Sequence, residues 1–351
     1  MHDRHGKSLG ISRRRFIGTV ASLAGAGMLP AASPFAAQPH GGADGRTLVV
    51  VQLSGGVDGL NALIPYGDDA YRRARPTLAL PRDRVLPLND YVGLNDRMAS
   101  LRSLYDAGEL AIVQGVGHAG ADRSHLGALA AWETASDTDR PDAAGWLGRY
   151  FERTTGDPVP PEIGVAALRH RPRAFIARKA HGVVLNDLPD GASALRGDPL
   201  QAVARHMRET PETRVYYTAF GGFDTHANQA GQLDNLLGQV SDSLAAFQRT
   251  LHRDGNADRT LTLVFSEFGR RVAENASRGT DHGAAGPVLL VGAKAVPGLH
   301  GTHPSLTELH AGALRPTVDF RCVYATILER WLGVSADVAL DHRFPTLPLI
   351  A

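Results

Sequence analysis

The chain has 351 residues, of which 21% are charged, and 37 Lys and Arg against 36 Asp and Glu leave a net charge of +1. This balance provides no basic field for a nucleic acid, so the sequence argues against a nucleic-acid partner. A single cysteine, Cys322, excludes an intramolecular disulfide framework. No segment is long and apolar enough to cross a bilayer, so the mature chain is predicted to have no stable transmembrane segment.

The N-terminus carries the pattern of a twin-arginine export signal. Residues 12–17 read Ser-Arg-Arg-Arg-Phe-Ile, a mildly apolar stretch rich in Gly and Ala covers 18–29, and small residues suited to cleavage follow near 31–33 and 36–37. A basic segment before a weak apolar one is typical of such signals, although a basic tail on a cytosolic protein is the alternative. The pattern predicts a signal and linker over 1–38, the Tat translocase as a partner during export, and a periplasmic or secreted protein.

The remaining residues, about 310 in number, alternate predicted strands with predicted helices. Apolar runs rich in β-branched residues predict buried strands over Thr47–Leu53, Leu110–Val116, Val215–Ala219, Leu261–Phe265 and Pro287–Val291. Helical spacing predicts helices over Leu94–Ala107, His125 to about Glu133, Gly145–Arg153, Gln229–Leu251 and Val323–Leu332. The alternation predicts one α/β domain over 39–351 with a mainly parallel central sheet sandwiched by helices. The Pro- and Arg-rich stretch at about 155–212 is predicted to be an irregular cap or insertion.

Polar side chains that suit a metal-dependent hydrolase follow several of these strands. Proteins with such sheets bind their ligands beyond the carboxyl ends of the strands. Four carboxylates, three imidazoles and one hydroxyl are available for a centre of one or two metals with a possible serine nucleophile. They are Asp58, Ser124, His125, Asp224, His226, Glu267, Asp281 and His282.

Each of the first three residues has a functional and a structural interpretation. Asp58 comes shortly after two glycines. It is either a metal ligand or the aspartate of an Asp-Gly turn. Ser124 precedes a predicted helix, where serine is a preferred N-cap, but where a nucleophile beside a bound anion also fits. His125 is open to interpretation as a ligand, a proton donor or a surface residue.

The later residues have comparable alternatives. Asp224 and His226 point to the same face if their segment is extended, and can then share one metal, whereas in a turn Asp224 caps the next helix. Glu267 after a buried strand is costly unless it is ligated or paired. Arg270 is its candidate ion-pair partner, or a catalytic clamp for the substrate anion. A single histidine such as His282 is more often structural than functional. Its occurrence together with the other acid–His clusters favours a metal role.

Six motifs in order resemble the bacterial family called domain of unknown function 1501, over about Thr47 to Ile350. They are Gly-Gly-Val-Asp-Gly-Leu-Asn at 55–61, Arg-Ser-His at 123–125, Gly-Trp-Leu-Gly-Arg at 145–149, Gly-Phe-Asp-Thr-His-Ala-Asn-Gln at 222–229, Ser-Glu-Phe-Gly-Arg at 266–270 and Gly-Thr-Asp-His-Gly at 279–283. The family is usually placed with the alkaline phosphatase and sulfatase superfamily. That resemblance implies an alkaline phosphatase-like fold with two metals at the carboxyl ends of the sheet.

The resemblance also implies roles for individual residues. Asp58 is similar to the superfamily's first-strand carboxylate, and Ser124 to the nucleophile that starts a helix between the metals. Asp224 and His226 resemble the acid–His pair of the first metal, and His282 resembles its last histidine.

The second metal departs from the superfamily's pattern. Glu267 resembles the late carboxylate of that metal, but the imidazole that usually follows is missing unless His125 or Asp281 substitutes. The acid–His pair of the first metal, Asp224 and His226, also departs from the pattern, because Asn228 occupies the position at which the superfamily commonly has its histidine. The resemblance therefore implies one metal, or two with an unusual ligand set.

These observations predict an exported metal-dependent hydrolase of phosphate or sulfate esters. Its substrate is a small or polymeric anionic ester, its cofactor one or two divalent ions, zinc, manganese or iron, and its nucleophile Ser124 or a metal-bound water. The predicted catalytic residues are Ser124, His125 and Arg270, and the predicted metal ligands are Asp58, Asp224, His226, Glu267, Asp281 and His282. The alternative is a non-catalytic envelope binding or assembly protein on a degenerate phosphatase-like scaffold.

Overall fold

Twelve strands are found in the computed structural model, which describes residues 45–120, 122–136, 143–185 and 197–351. The predicted signal over 1–38 therefore lies outside the described residues. In chain order the strands are β1 Thr47–Leu53, β2 Leu63–Ile64, β3 Val85–Pro87, β4 Gly93–Asn95, β5 Leu110–Gly117, β6 Gly164–Ala167, β7 Val183–Val184, β8 Val215–Phe220, β9 Thr260–Phe265, β10 Gly286–Val291, β11 Gly298–His300 and β12 Val318–Asp319.

Eight α-helices and several shorter turns connect the strands in the same described ranges. The helices are α1 Gly59–Ala62, α2 Asp69–Ala74, α3 Ala99–Asp106, α4 His125–Thr134, α5 Trp146–Thr154, α6 Pro199–Glu209, α7 Gln229–Arg253 and α8 Phe320–Thr326, which continues as a π-helical turn over Ile327–Trp331. Short 3-10 turns cover Arg82–Arg84, Asp96–Met98, Pro161–Ile163, Arg173–Phe175, Ala257–Arg259 and Ala336–Val338.

The main sheet has the strand order β11-β5-β10-β9-β1-β8-β6-β7, with β12 also paired to β5, and β2, β4 and β3 form a separate small sheet. Strand β1 lies near the middle and pairs in parallel with both β8 and β9. Only β10 runs antiparallel to its neighbours in the described part of the main sheet. The predicted α/β fold with a mainly parallel central sheet is confirmed.

The apolar composition of β1 follows from its position between two helical layers. All seven of its residues are buried. Leu48 and Val50 pack into one core with α5 and α8, whereas Val49 and Val51 pack into the other with α3, α6 and α7. A strand covered on both faces has no polar face, so it reads as a continuous apolar run.

The segment 155–212, predicted to be an irregular cap or insertion, instead supplies part of the main sheet. Within it β6 pairs in parallel with β7 and β8, and α6 packs against α7. These two strands are only four and two residues long, too short to produce a periodic signal in the sequence. Residues 186–196 of this segment lie outside the described ranges. The residues between β6 and β7 nevertheless line the cleft described below.

The described residues all belong to one compact unit. None of their helices combines the length and the hydropathy needed to cross a membrane.

Candidate metal centre

The polar residues that the sequence analysis grouped together lie around the carboxyl end of the central strands. Asp224 follows β8, Glu267 follows β9, and His125 opens α4 a few residues beyond β5. His282 precedes β10, which is antiparallel, so its start lies at the same edge of the sheet. This arrangement is the usual location of a ligand site in an open α/β sheet.

Asp224 is the centre of the cluster, and its side chain is 48% exposed. Its Oδ1 accepts a hydrogen bond from Arg270 Nη2 at 2.7 Å and lies 2.9 Å from His226 Nδ1 and 3.2 Å from His282 Nε2. Its Oδ2 lies 3.4 Å from His125 Nε2. One carboxylate is thus surrounded by three imidazoles and one guanidinium.

The hydrogen bonds of His282 determine which of its nitrogens faces Asp224 as a lone pair. Its Nδ1 lies 2.7 Å from the backbone carbonyl oxygen of Arg123. Because a carbonyl oxygen only accepts, Nδ1 carries the proton, and the Nε2 of a neutral ring then directs a lone pair at the Asp224 carboxylate. Two facing acceptors repel each other unless a second proton or a metal cation lies between them.

His125 shows the same arrangement from the other side of Asp224. Its Nδ1 lies 2.9 Å from Glu267 Oε1, so a neutral ring protonated there also presents its Nε2 lone pair to Asp224. Glu267 is 4% exposed, and the same Oε1 accepts the amide of Gly55 at 2.8 Å. A carboxylate behind a metal-binding histidine fixes the tautomer and the ring orientation. The structure thus places Glu267 as the partner that orients His125, whereas the sequence predicted it as a ligand.

The distances fit a single small cation. Ligand atoms of His125, Asp224 and His282 all lie within 4.8 Å of one another. Ligands on a tetrahedral zinc ion are about 3.4 Å apart, and the Nε2 atoms of His282 and His125 lie at similar distances from the carboxylate, 3.2 Å from Oδ1 and 3.4 Å from Oδ2 of Asp224. These three residues form the candidate metal triad, and His226 lies beside it with its ring centroid 4.7 Å from that of His282.

The electrostatics keep two members of the cluster in the protonation states that bind a cation. Burial raises the pKa of Asp224, but the hydrogen bond and the positive charge of Arg270, together with the neighbouring imidazoles, bring the pKa down to about 2. Burial lowers the pKa of the His226 imidazole, and although the negative charge of Asp224 raises it, the positive charge of Arg270 lowers it again. A carboxylate and a neutral imidazole are the forms that ligate metals, so neither group has to lose a proton at neutral pH.

Asp58, a predicted ligand, lies outside this cluster. Its side chain is 1% exposed, and Oδ2 accepts a 2.6 Å hydrogen bond from Arg75 Nη1 and another from Gln229 Nε2. Its Oδ1 has no hydrogen-bond partner among the described residues. The structure therefore places Asp58 in a buried ion pair with Arg75, which was not identified from the sequence.

Asp281 also points away from the cluster. One of its oxygens accepts a hydrogen bond from Asn275 Nδ2 at 3.0 Å, and the other lies 3.7 Å from Arg271 Nη1. Its neighbour His282 enters the cluster because successive side chains of extended backbone point in opposite directions.

Arg270, a predicted catalytic residue, is 1% exposed and has all three of its nitrogens engaged. Nε donates to Gly56 O, Nη1 to Thr280 O, and Nη2 to Asp224 as well as to the carbonyls of Gly55 and Phe223. This guanidinium joins three loops at the sheet edge and holds Asp224 in place. Because each of its nitrogens already donates to the protein, the geometry favours a structural role over a clamp for a substrate anion.

Ser124 caps helix α4. Its Oγ accepts from the amide of Gly127 at 3.1 Å and donates to Asp122 Oδ2 at 2.8 Å. Hydrogen bonds from the Ser124 amide and hydroxyl lower the pKa of Asp122, which makes this carboxylate a poor base for activating the hydroxyl. The capping interpretation is thus realised in the structure, and nucleophilic attack by Ser124 stays a prediction.

A cleft with a volume of about 610 Å³ opens beside the triad. His125, Asp224 and Glu267 form one end of it, and the loop between β6 and β7 forms part of its wall. The cleft is large enough to hold a small organic molecule in contact with the triad.

Glu133 also lines this cleft and was not identified as a site residue from the sequence. It is 9% exposed, and burial raises its pKa from 4.5 to about 7, although the backbone amides of Ala174 and Arg173 lower it. The sequence signal for Glu133 is a carboxylate directly after the apolar run from Leu126 to Trp132.

The raised pKa predicts a pH-dependent effect of Glu133→Gln on stability. Between pH 4.5 and 7 the unfolded chain has lost the Glu133 proton while the folded chain keeps it, so this group destabilises the fold progressively as the pH rises. The full penalty above pH 7 is about 3 kcal/mol. Urea unfolding at pH 5 and pH 8 measures the effect. The free energy of unfolding of the variant, relative to that of the wild type, is expected to be about 2–3 kcal/mol higher at pH 8 than at pH 5. The same exchange at exposed Glu209 is the control, and a Glu133→Gln gain independent of pH would contradict the expectation.

The fold and the site together define an α/β protein with a candidate metal centre at the carboxyl edge of its central sheet. Residues 200–338 match the model of a family described as Protein of unknown function (DUF1501). The resemblance predicted from the motifs is confirmed over these residues. No curated protein is found to match the chain.

Several solved structures are similar to the chain in fold. The C-terminal periplasmic domain of EcEptC from Escherichia coli in complex with Zn has a TM-score of 0.42 and 11% identity, over 70% of this chain and 72% of that one. The lipoteichoic acid synthase LtaP from Listeria monocytogenes has a TM-score of 0.45 and 10% identity, over 84% and 74%. A protein in the alkaline phosphatase superfamily from Vibrio parahaemolyticus has a TM-score of 0.46 and 12% identity, over 86% and 71%. At these identities the similarity concerns the fold alone.

Proposed function

We propose that the protein is an exported, metal-dependent hydrolase of phosphate or sulfate esters. The observation that carries the proposal is the orientation of His125 and His282, whose Nε2 atoms both face the Asp224 carboxylate while their Nδ1 atoms are engaged elsewhere. A divalent cation bound by these three groups removes the repulsion among them. The export component rests on the twin-arginine pattern, and the single domain over 39–351 is part of the same proposal.

The donor set favours a particular group of metals. One carboxylate and two imidazoles suit zinc, manganese or iron better than calcium or copper(I). When bound, such an ion supplies Lewis-acid chemistry, polarising the ester and lowering the pKa of a water molecule. The ester would occupy the cleft that opens beside the triad.

The surrounding residues of the chain orient the triad. Glu267 holds the His125 ring through Nδ1, and the Arg123 carbonyl does the same for His282. Arg270 fixes Asp224 from the buried side. Partners of this kind typically contribute 10–100-fold to metal affinity or activity.

The capping geometry of Ser124 leads to an expected outcome for Ser124→Ala. In the capping interpretation, loss of the N-cap lowers the stability by about 1 kcal/mol and ester turnover is retained, with water as the nucleophile. A thermal melt and a turnover assay on the same preparation measure both quantities. A folded, metal-loaded variant without turnover would instead assign Ser124 as the nucleophile.

The proposed function is tested on protein exported with its own N-terminal segment. Elemental analysis should find bound zinc, manganese or iron, and 4-nitrophenyl phosphate, bis(4-nitrophenyl) phosphate and 4-nitrophenyl sulfate are the probes for turnover. Turnover of one of them that is lost with a chelator and restored by metal supports the proposal. Metal without turnover of any ester would favour the non-catalytic envelope protein, and absence of metal would overturn the metal site.

A further inference from the structure

The wall of the cleft next to the triad carries an unusually exposed apolar side chain. Leu126 directly follows His125 and is 85% exposed. The other exposed large apolar residues in the described ranges are Tyr91 and Ile176, at 36% and 40%. A single exposed leucine is ordinary on a protein surface. Leu126 differs because it lines the cleft that contains the candidate metal triad.

Two further leucines line the same cleft as Leu126. Leu129, one turn further along α4, and Leu168, just beyond β6, line the same cleft, and both are only partly buried. Residues three apart on a helix share a face, so Leu126 and Leu129 present their side chains to the same side. An apolar wall that is open to solvent beside a polar site is typical of a site for an apolar ligand group.

The same cleft also carries positive charge. Arg171 lines it and is exposed, and the structure shows no ion pair or hydrogen bond for its side chain within the described ranges. The protein as a whole is close to neutral, with a net charge of +1. A free guanidinium at the rim attracts an anion and is suited to phosphate or sulfate oxygens.

We propose that the cleft binds an anionic amphiphile, an ester of phosphate or sulfate whose alcohol carries an apolar chain. The anionic group lies at the triad within the positive field of Arg171, and the apolar chain lies against Leu126, Leu129 and Leu168. This assignment of a substrate class rests on the proposed ester hydrolysis. It accounts for an exposed leucine that no packing requirement of the fold explains.

The test measures binding rather than turnover, with non-hydrolysable n-alkyl phosphonates on the metal-loaded protein. Methylphosphonate and n-octylphosphonate, the latter below its micelle concentration, are titrated calorimetrically. Because each buried methylene adds to the affinity and the wall covers only one side of the chain, octylphosphonate is expected to bind about 30-fold more tightly. Leu126→Ser is expected to weaken octylphosphonate binding about 5-fold and to leave methylphosphonate binding unchanged.

Two control variants locate the effect. Ile176→Ser removes another exposed apolar side chain, one that does not line the cleft, and is expected to change neither affinity. Arg171→Ala is expected to weaken both ligands by a similar factor of about 3, because it acts on the shared anionic group.

The outcomes separate this inference from the proposed function. Equal affinity for the two phosphonates, or an octylphosphonate affinity that Leu126→Ser leaves intact, would overturn the amphiphile site and leave ester hydrolysis standing. Binding of neither phosphonate would overturn both.

Discussion

Asp224→Asn is expected to remove the bound divalent metal from the protein, from about one ion per chain to almost none. Asp224 is the only carboxylate of the candidate triad, and both Nε2 atoms of the triad face it. The amide of asparagine is a far weaker ligand than a carboxylate for zinc, manganese or iron. Asparagine keeps an oxygen that accepts from Arg270, so the variant is expected to remain folded. Elemental analysis after gel filtration measures the loss.

Asp281→Asn is the matched control. Asp281 is a neighbouring aspartate with similar exposure, 45% against 48%, but its oxygens face Asn275 and Arg271. This variant is expected to keep its metal in full. Loss of metal from both variants, or from Asp281→Asn alone, would show that the ligands differ from the triad.

Arg75→Met is expected to lower the free energy of unfolding by about 3–5 kcal/mol, since it leaves a buried carboxylate without its counter-charge. Arg75 is fully buried, pairs with Asp58 at 2.6 Å, and donates to the carbonyls of Val272 and Arg271. Its loss leaves Asp58 with Gln229 as its one remaining side-chain partner among the residues that the structure describes. Urea unfolding at neutral pH measures the change.

Arg253→Met is the control for this pair. Arg253 also contacts an aspartate, Asp254 at 3.0 Å, but its side chain is 65% exposed, so the expected loss is below about 1 kcal/mol. Asp58→Asn in the Arg75→Met background should recover part of the stability because it removes the unpaired charge. A loss for Arg75→Met as small as that for Arg253→Met would contradict the buried-pair interpretation.

The same aspartate provides a test of its predicted ligand role. Asp58→Asn alone is expected to keep the metal content unchanged, because its carboxylate faces Arg75 and Gln229. A folded Asp58→Asn protein that has lost its metal would restore Asp58 to the ligand set.

The strand order could be anticipated only in part from the sequence. The bounds of β1 were predicted to the residue, because a strand buried on both faces leaves a continuous apolar run that local composition reveals. The short strands β6 and β7 were missed, since their place in the sheet depends on pairing with β8 rather than on any pattern of their own. The start of α3 was predicted five residues too early, because Asn95 belongs to β4 and accepts the Arg97 amide at the turn.

The sequence by itself determined which chemistry is available and at which edge of the sheet it collects. Polar residues that directly follow apolar strands are brought to one edge by the geometry of parallel strands, and Asp224, Glu267 and His125 are brought there in this way. What each of these groups contacts was decided by tertiary structure alone. Asp58 faces Arg75, Glu267 faces His125 from 142 residues away in the chain, and Arg270 is buried among carbonyls. A buried charge is stabilised by whichever partner the fold places within hydrogen-bonding distance, and that distance is not encoded in the local sequence around either residue.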